Sequence, residues 1–361
     1  PRIEYDATGA VKGLLIEEAR TNLVTYSNDF TTSSWTRYRV SIASNVSGVT
    51  APDGSETVDK MIPNSSNNEH RVWDGVSSTA VGETYSVYAK SAGYDYVWLG
   101  YYEGSVYGYA VVNLTNGVVT ASNTANYSVE ASTNGFYRIS VTKTASGTNP
   151  RYISISPSPT ASPTLNSSNV PLYTGDGTSG IYVYGAQLEA GAFPTSYIPT
   201  TGAAATRAAD LAQIPTSAFG YNNDKGSLVI DVLTPVEDQF MPIAYFNTST
   251  YSNSRGLWKS NSGTSAVGTD YVRSAYDGAT TKVTIGQQTQ AEYTKLGLSY
   301  GDNESGVRDG GTVLSGTIRY PNPTRLHLGG RDNGFQSQCW IKSIQYYPRR
   351  LTNTQLQELT T

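Results

Sequence analysis

Hydrophobic and polar positions alternate with a period of two along much of this chain. Thr84 to Ala89 and Tyr94 to Leu99 show the pattern first, followed by Tyr107 to Asn113. Successive side chains of a strand point to opposite faces, so such runs predict half-buried strands. Asn116-Gly117 then marks a tight hairpin turn into Val118 to Thr120. Phe136 to Thr142, Arg151 to Ile155 and Ile181 to Leu188 complete the first set. Hardly a helical period interrupts them, and strands at this spacing predict an antiparallel β-sandwich.

The strongest boundary signal lies between Phe193 and Pro215. Three prolines, a glycine and a run of small residues there predict an interdomain connection. Beyond it the strand pattern resumes: Gly226 to Leu233, Met241 to Phe246, Gly256 to Lys259, Lys282 to Ile285, Lys295 to Tyr300, Thr312 to Leu314, Arg325 to Leu328 and Trp340 to Tyr346. At the end, Thr352 or Asn353 can cap a short helix whose Leu356 and Leu359 fold back onto the sheet. The expected fold class is all-β, with two antiparallel, jelly-roll-like β-sandwich domains in tandem and a short C-terminal helix. The expected boundaries are a lead-in over 1–24, a first sandwich over 25–200, a linker over 201–224 and a second sandwich over 225–361. Ser156 to Pro171, rich in serine and proline, reads as a surface loop.

Composition narrows the function classes. The 361 residues carry 28 tyrosines and 35 glycines, and only 15% are charged, against about 25% in an average soluble domain. A net charge of −4 provides no basic field for nucleic acid. Apolar runs such as Gly13 to Ile16 fall far below the roughly 20 residues that span a bilayer, so no membrane insertion is expected. The single cysteine, Cys339, excludes an internal disulfide. A chain starting at Pro1, without Met or a signal-like segment, predicts a processed product or fragment with an attachment region upstream.

Catalytic signals are weak. Gly175-Asp176-Gly177-Thr178-Ser179-Gly180 fits the dinucleotide fingerprint in letters. A strand rather than a helix follows it, so a tight turn is expected. His70 and His327 are the only histidines; strand-edge polarity accounts for the first and a satisfied strand position for the second. Acid pairs suited to sugar hydrolysis could come from Glu17 and Glu18, Glu237 and Asp238, or Asp302 and Glu304. The last pair reads as a solvated hairpin loop, and no catalytic residue is assigned. No cofactor is expected, although Asn28, Asp29, Gln187 and Glu189 are ligand types that a structural calcium would use.

The aromatic pattern carries the most chemistry. Alternation puts Tyr94, Tyr96 and Trp98 on one face, with Val97 and Leu99 opposite. After a turn at Gly100 to Ser105, which holds Tyr102, the return strand puts Tyr107 and Tyr109 on one face. Paired as a hairpin, these rings form an aromatic surface suited to the apolar C–H faces of pyranose rings. The candidate carbohydrate-binding residues are therefore Tyr94, Tyr96, Trp98, Tyr102, Tyr107 and Tyr109. A subunit seam or a plain core would use the same residues. The platform reading expects Trp98→Ala and Tyr96→Ala to leave the fold intact.

A family resemblance then emerges. Pro1 to Ala10 followed by Gly13 to Leu23 resembles a segment of tailed-phage tail-fibre and other virion proteins, and the later runs Tyr85 to Lys90, Gly135 to Arg138, Gly177 to Glu189 and Phe193 to Thr200 match its usual order. Together they cover most of residues 1–210. The resemblance implies a carbohydrate-binding-module-like jelly roll. Leu326 to Arg331 and Ile341 to Leu356 resemble the ending of a concanavalin-A-like or laminin-G-like sandwich. On this resemblance the expected protein is an extracellular phage tail fibre or receptor-binding protein. It would be a homotrimer in contact with other virion proteins, and would bind host surface polysaccharide without cleaving it. The alternatives are a structural virion protein, either a fibre joint or a capsid decoration, and a polysaccharide depolymerase.

Overall fold

A computed structural model describes residues 2–6, 8–76, 82–103, 106–124, 126–143, 151–234, 241–248, 254–261, 268–276, 279–288, 292–316, 322–330 and 338–361. Strands dominate and every pairing within the sheets is antiparallel, so the chain is all-β. Among the described residues no helix is long and apolar enough to cross a membrane. The single α-helix among the described residues, Asn353–Thr360, opens on a capping box in which Thr352 and Gln355 satisfy each other's backbone N–H groups. Leu356 anchors it in a cluster with Val229, Val307 and Leu351.

The chain divides into two compact units, residues 20–207 and residues 1–19 with 208–361. Residues 1–19 therefore form no lead-in, and the unit boundaries differ from those expected. Arg2–Tyr5 pairs with Val11–Ile16, which pairs with Cys339–Tyr347 in a seven-stranded sheet. Gly13 makes this approach possible: a Cβ there would lie 2.6 Å from the Ile341 carbonyl oxygen. Ile16 is wholly buried beside Leu228, Ile230, Leu298 and Cys339. The signal was missed because Val11 to Ile16 is short and its partner lies more than 300 positions away. The expected linker also contains strands. Ala205–Arg207 pairs with Arg20–Asn22, and Ala212–Pro215 with Arg325–Leu328.

In the unit 20–207, one six-stranded sheet runs Val119–Ser122, Val106–Asn113, Tyr96–Glu103, Arg151–Ser158, Arg71–Val76, Thr36–Tyr38. The other runs Tyr127–Ala131, Tyr137–Lys143, Glu83–Ala92, Gly180–Ala190, Asp59–Pro63, Val40–Ala43. Val97, Leu99, Ala110, Val112, Ile153 and Ile155 from the first are buried in one cluster with Val87, Ile139, Val141, Ile181 and Val183 from the second. Alternation is what produces this: each β-branched or leucine position faces inward, and its neighbours face out. Ser156 to Pro171 is not one surface loop. Its first residues finish the strand Arg151–Ser158, with Ser156 and Ser158 buried. Further on, Thr164–Leu165 pairs with Pro171–Thr174.

Ile16→Ala should destabilise the unit holding residues 208–361 by about 2–5 kcal/mol. Hydrogen exchange should then quicken in Gly226–Thr234 and stay unchanged in Gly180–Ala190. Unchanged exchange in both strands would return residues 1–19 to the role of a passive lead-in.

Candidate functional site

The outer face of the sheet carrying Tyr96–Glu103 is built row by row. Across four strands, Tyr107, Tyr102, Tyr152 and Gly75 lie side by side. The next outward row is Tyr109, Gly100, Ser154, Trp73 and Thr36. Beyond it Val111, Trp98 and Ser156 line up. At the centre of the middle row the Trp98 ring lies over Gly100, and the small Ser154 beside it leaves a hollow between the large rings.

That hollow is a cavity of about 310 Å³. Trp73, Tyr102 and Tyr152 line one part of it, and Trp98, Ser168 and Val170 another, with Arg71 and Ser154 also contributing. The Trp73 and Tyr152 rings meet edge to face at 4.9 Å, and Tyr102 stacks on Tyr152 at 6.0 Å. These contacts hold the rings at defined angles. Ser168 and Val170 are placed by a tight loop in which Asn166 Oδ1 accepts from both backbone N–H groups, at 2.9 and 3.0 Å. Asn166 also donates to Glu69, whose carboxylate lies 3.8 Å from Arg71 Nη2.

Two donors of this site are unpaired. Trp98 Nε1 and Arg71 Nε are both buried without a hydrogen-bond partner. Each such group costs about 1–3 kcal/mol until an acceptor arrives. Asp74 alternates with Trp73 and is buried, while half-buried Tyr101 lines the cavity as well. Burial raises the Asp74 carboxyl and the Tyr101 phenol above their ordinary values. A second pit of about 10 Å³, room for one water, shares Tyr101, Tyr102 and Tyr152 with this cavity and touches Tyr85, Glu83 and Lys143. Burial holds the Tyr85 phenol well above its ordinary value.

The six aromatic residues expected to form a platform do not share one environment. Tyr94 lies before its strand begins and packs into the core against Tyr173, their ring centroids 5.9 Å apart. Period-two counting fails there because Tyr94 is outside the ladder. Trp98 faces outward as expected but is only 4% exposed, covered by a cluster with Val111 and Val170. Half-buried Tyr96 and Tyr109 pack against the same cluster, Tyr109 stacked on Trp98 at 5.8 Å. Trp98→Ala would therefore leave a core-sized void and not a neutral surface. Tyr102 lies in a strand, not a turn, and is half-buried between Tyr107 and Tyr152.

Sequence reasoning missed Arg71, Trp73, Tyr152, Ser154, Ser168 and Val170. Two signals were available. Arg71 to Val76 alternates, with Val72, Asp74 and Val76 buried, and Tyr152 and Ser154 alternate with Ile153 and Ile155. His70 is not at a strand edge. It is buried, with Nδ1 3.0 Å from the Arg39 carbonyl oxygen and Nε2 3.0 Å from that of Ser66.

The other candidates resolve as structure. Asp176 Oδ1 accepts from the Thr178 and Ser179 N–H groups, and the Ser179 and Thr178 bonds hold this carboxyl below its usual range. The glycine-rich run is thus a turn into Gly180–Ala190. Glu304 is no solvated loop residue, because it is buried against Arg255 at 2.9 Å while Asp302 is exposed. Glu17 is buried with Arg2 at 3.4 Å. Glu237 and Asp238 lie outside the described residues. His327 stacks on Tyr245 at 5.0 Å.

The oxygens considered for calcium are engaged by donors. Asn28 Oδ1 accepts from Gly185 N–H and Tyr197 O–H, and Gln187 Oε1 from Ile198 N–H. Glu189 Oε1 accepts from Thr195 N–H, and Asp29 Oδ1 from Thr31 N–H. Among the described residues no cluster of three or more His, Cys, Asp or Glu could hold a metal ion.

No family model and no curated protein matches the chain. Among solved structures, the CBM40 module of a Ruminococcus gnavus IT-sialidase bound to alpha2,6 sialyllactose is 14% identical, with a TM-score of 0.33, over 42% of this chain and 93% of that one. A SAP-like pentraxin from Limulus polyphemus is 8% identical, with a TM-score of 0.32, over 38% and 70%. A Trypanosoma rangeli sialidase is 11% identical, with a TM-score of 0.32, over 84% and 60%. Overlap at this level decides neither ligand nor reaction for the present chain.

Gly100 supports the cavity directly: a Cβ there would lie 2.4 Å from Trp98 Cη2 and 3.0 Å from the Gly108 carbonyl oxygen. Gly100→Ala should displace the Trp98 ring at a cost of about 1–3 kcal/mol, seen as a lower urea midpoint and altered tryptophan fluorescence. Unaltered fluorescence would show that the ring does not depend on Gly100. Asp74→Asn tests the buried carboxyl. The raised value means that the folded state holds extra proton above the ordinary carboxylate range, so stability falls as pH rises through that window. The Asn variant should gain on the wild type in urea midpoint as pH rises above the ordinary carboxylate value. Parallel curves would show that Asp74 does not titrate there.

Proposed function

We propose that the unit 20–207 is a polysaccharide-binding module that takes sugar rings in the hollow on its outer sheet face. The observation that carries this reading is the cavity itself. Packed aromatic rings surround Ser154 and Ser168, and Arg71 stands among them. Rings offer flat apolar area to pyranose C–H faces at low entropy cost. A hydroxyl-rich ligand would also meet Arg71, Ser154 and Ser168, polar side chains of the same lining.

The proposed action is to hold the polymer, not to cut it. Glycoside hydrolysis commonly requires two carboxyl groups flanking the scissile bond, and the described lining contains none. Together with the resemblance of residues 1–210 to tail-fibre segments, this favours a receptor-binding role on an extracellular phage tail, contacting other virion proteins and host surface polysaccharide. A homotrimer would present three modest sites at once and convert them into avidity.

The test is retention on immobilised bacterial surface polysaccharides, with polymer length followed in the same samples. Wild type should be retained and polymer length unchanged. Trp73→Ala and Tyr152→Ala, which remove outward rings and spare the core, should each weaken retention about tenfold or more, the equivalent of roughly 1.4 kcal/mol. Shortened polymer would overturn the non-cleaving role. Full retention by both variants would overturn the site.

A further inference from the structure

We infer that this site selects acidic polysaccharides, with a sugar carboxylate taken by Arg71; the inference rests on the binding reading above. Arg71 is the only charged side chain among the described residues lining the cavity. Its guanidinium is not consumed by the fold. Glu69 Oε1 lies 3.8 Å from Nη2, beyond hydrogen-bond reach, and Nε is buried with no partner. Meanwhile the Asn166 amide donates to the Glu69 carboxylate, on the loop that also carries Ser168 and Val170. Glu69 thus has a second anchor, and Arg71 keeps donors to spare.

A guanidinium presents N–H groups in a planar fork that matches a carboxylate, and charged pairs of this kind are about twice as strong as neutral hydrogen bonds. A neutral sugar hydroxyl could satisfy one donor, but it accepts only a single, uncharged hydrogen bond. A carboxylate accepts two charge-assisted ones from a guanidinium that Glu69 approaches only to 3.8 Å. Trp73 shares the outward face of the same strand, two positions away, so an acidic sugar could meet Arg71 through its carboxylate and Trp73 through its ring face. The net charge of −4 opposes an acidic polymer at long range. The preference must therefore be local to Arg71, and removing that one residue should abolish it.

The experiment measures retention of the full chain on polygalacturonate, alginate and hyaluronan, each paired with its carboxyl-reduced form. Wild type should bind at least one acidic polymer about tenfold or more better than its reduced partner. Arg71→Gln should bring the two members of that pair level, and Arg71→Lys should recover only part of the difference, because an ammonium lacks the fork. Trp73→Ala should weaken both members alike. Equal binding to acidic and reduced forms by wild type, or a preference that survives Arg71→Gln, overturns the acidic selectivity and leaves the sugar site standing. Binding to neutral polymers alone does the same. No binding to any polymer, acidic or neutral, overturns the site itself.

Discussion

Everything described for residues 20–207 depends on burying one face of each sheet against the other. Val97, Leu99, Ala110, Val112, Ile153 and Ile155 can face inward only if their neighbours face outward. The outer face is therefore decided by what alternates with the core. Where the alternating residues are Trp98, Tyr102, Tyr109 and Tyr152, the surface carries rings; at Gly100 it gives room to the Trp98 ring, and at Ser154 it sinks. The hollow follows from the core register, because a slip of one residue in any of these strands would send its rings inward.

The same face shows why an exposed aromatic row and a binding site are different things. The loop through Asn166 and Val170 covers Trp98 and leaves Trp73, Tyr102 and Tyr152 to line the cavity. Covering Trp98 buries a large ring and sacrifices its indole N–H, which has no acceptor. Apolar burial offsets that loss: a fully buried large side chain contributes about 1.5–3 kcal/mol, close to the cost of one unmet donor. The side-chain oxygens of Asn28, Gln187 and Glu189, by contrast, accept from the backbone N–H groups of Gly185, Ile198 and Thr195.

In the second unit the sheet is completed by residues from the far end of the chain. Val11–Ile16 closes onto Cys339–Tyr347, and Gly13 permits the approach. Local pattern reading cannot find such a partner, because alternation identifies a strand and not the strand beside it. Glu304 illustrates a related failure. In sequence it sits among Gly, Ser and Asp like any turn residue, yet it begins the strand Glu304–Arg308 and meets Arg255 inside the sandwich.

The sequence by itself determined the all-β class, the rhythm of short strands and turns, the capped terminal helix and the inward positions of the first sandwich. These are local: period two, turn residues and a capping box act within a few positions. Tertiary structure alone decided that Tyr94 joins the core, that Trp98 is roofed, and that Arg71, Trp73 and Tyr152 meet Tyr102 around one hollow. Those outcomes depend on which strands become neighbours. Arg71–Val76 and Tyr96–Glu103 come together only because Arg151–Ser158 inserts between them. Non-local pairing of this kind is set by the fit of the whole core, and no short window of sequence contains it.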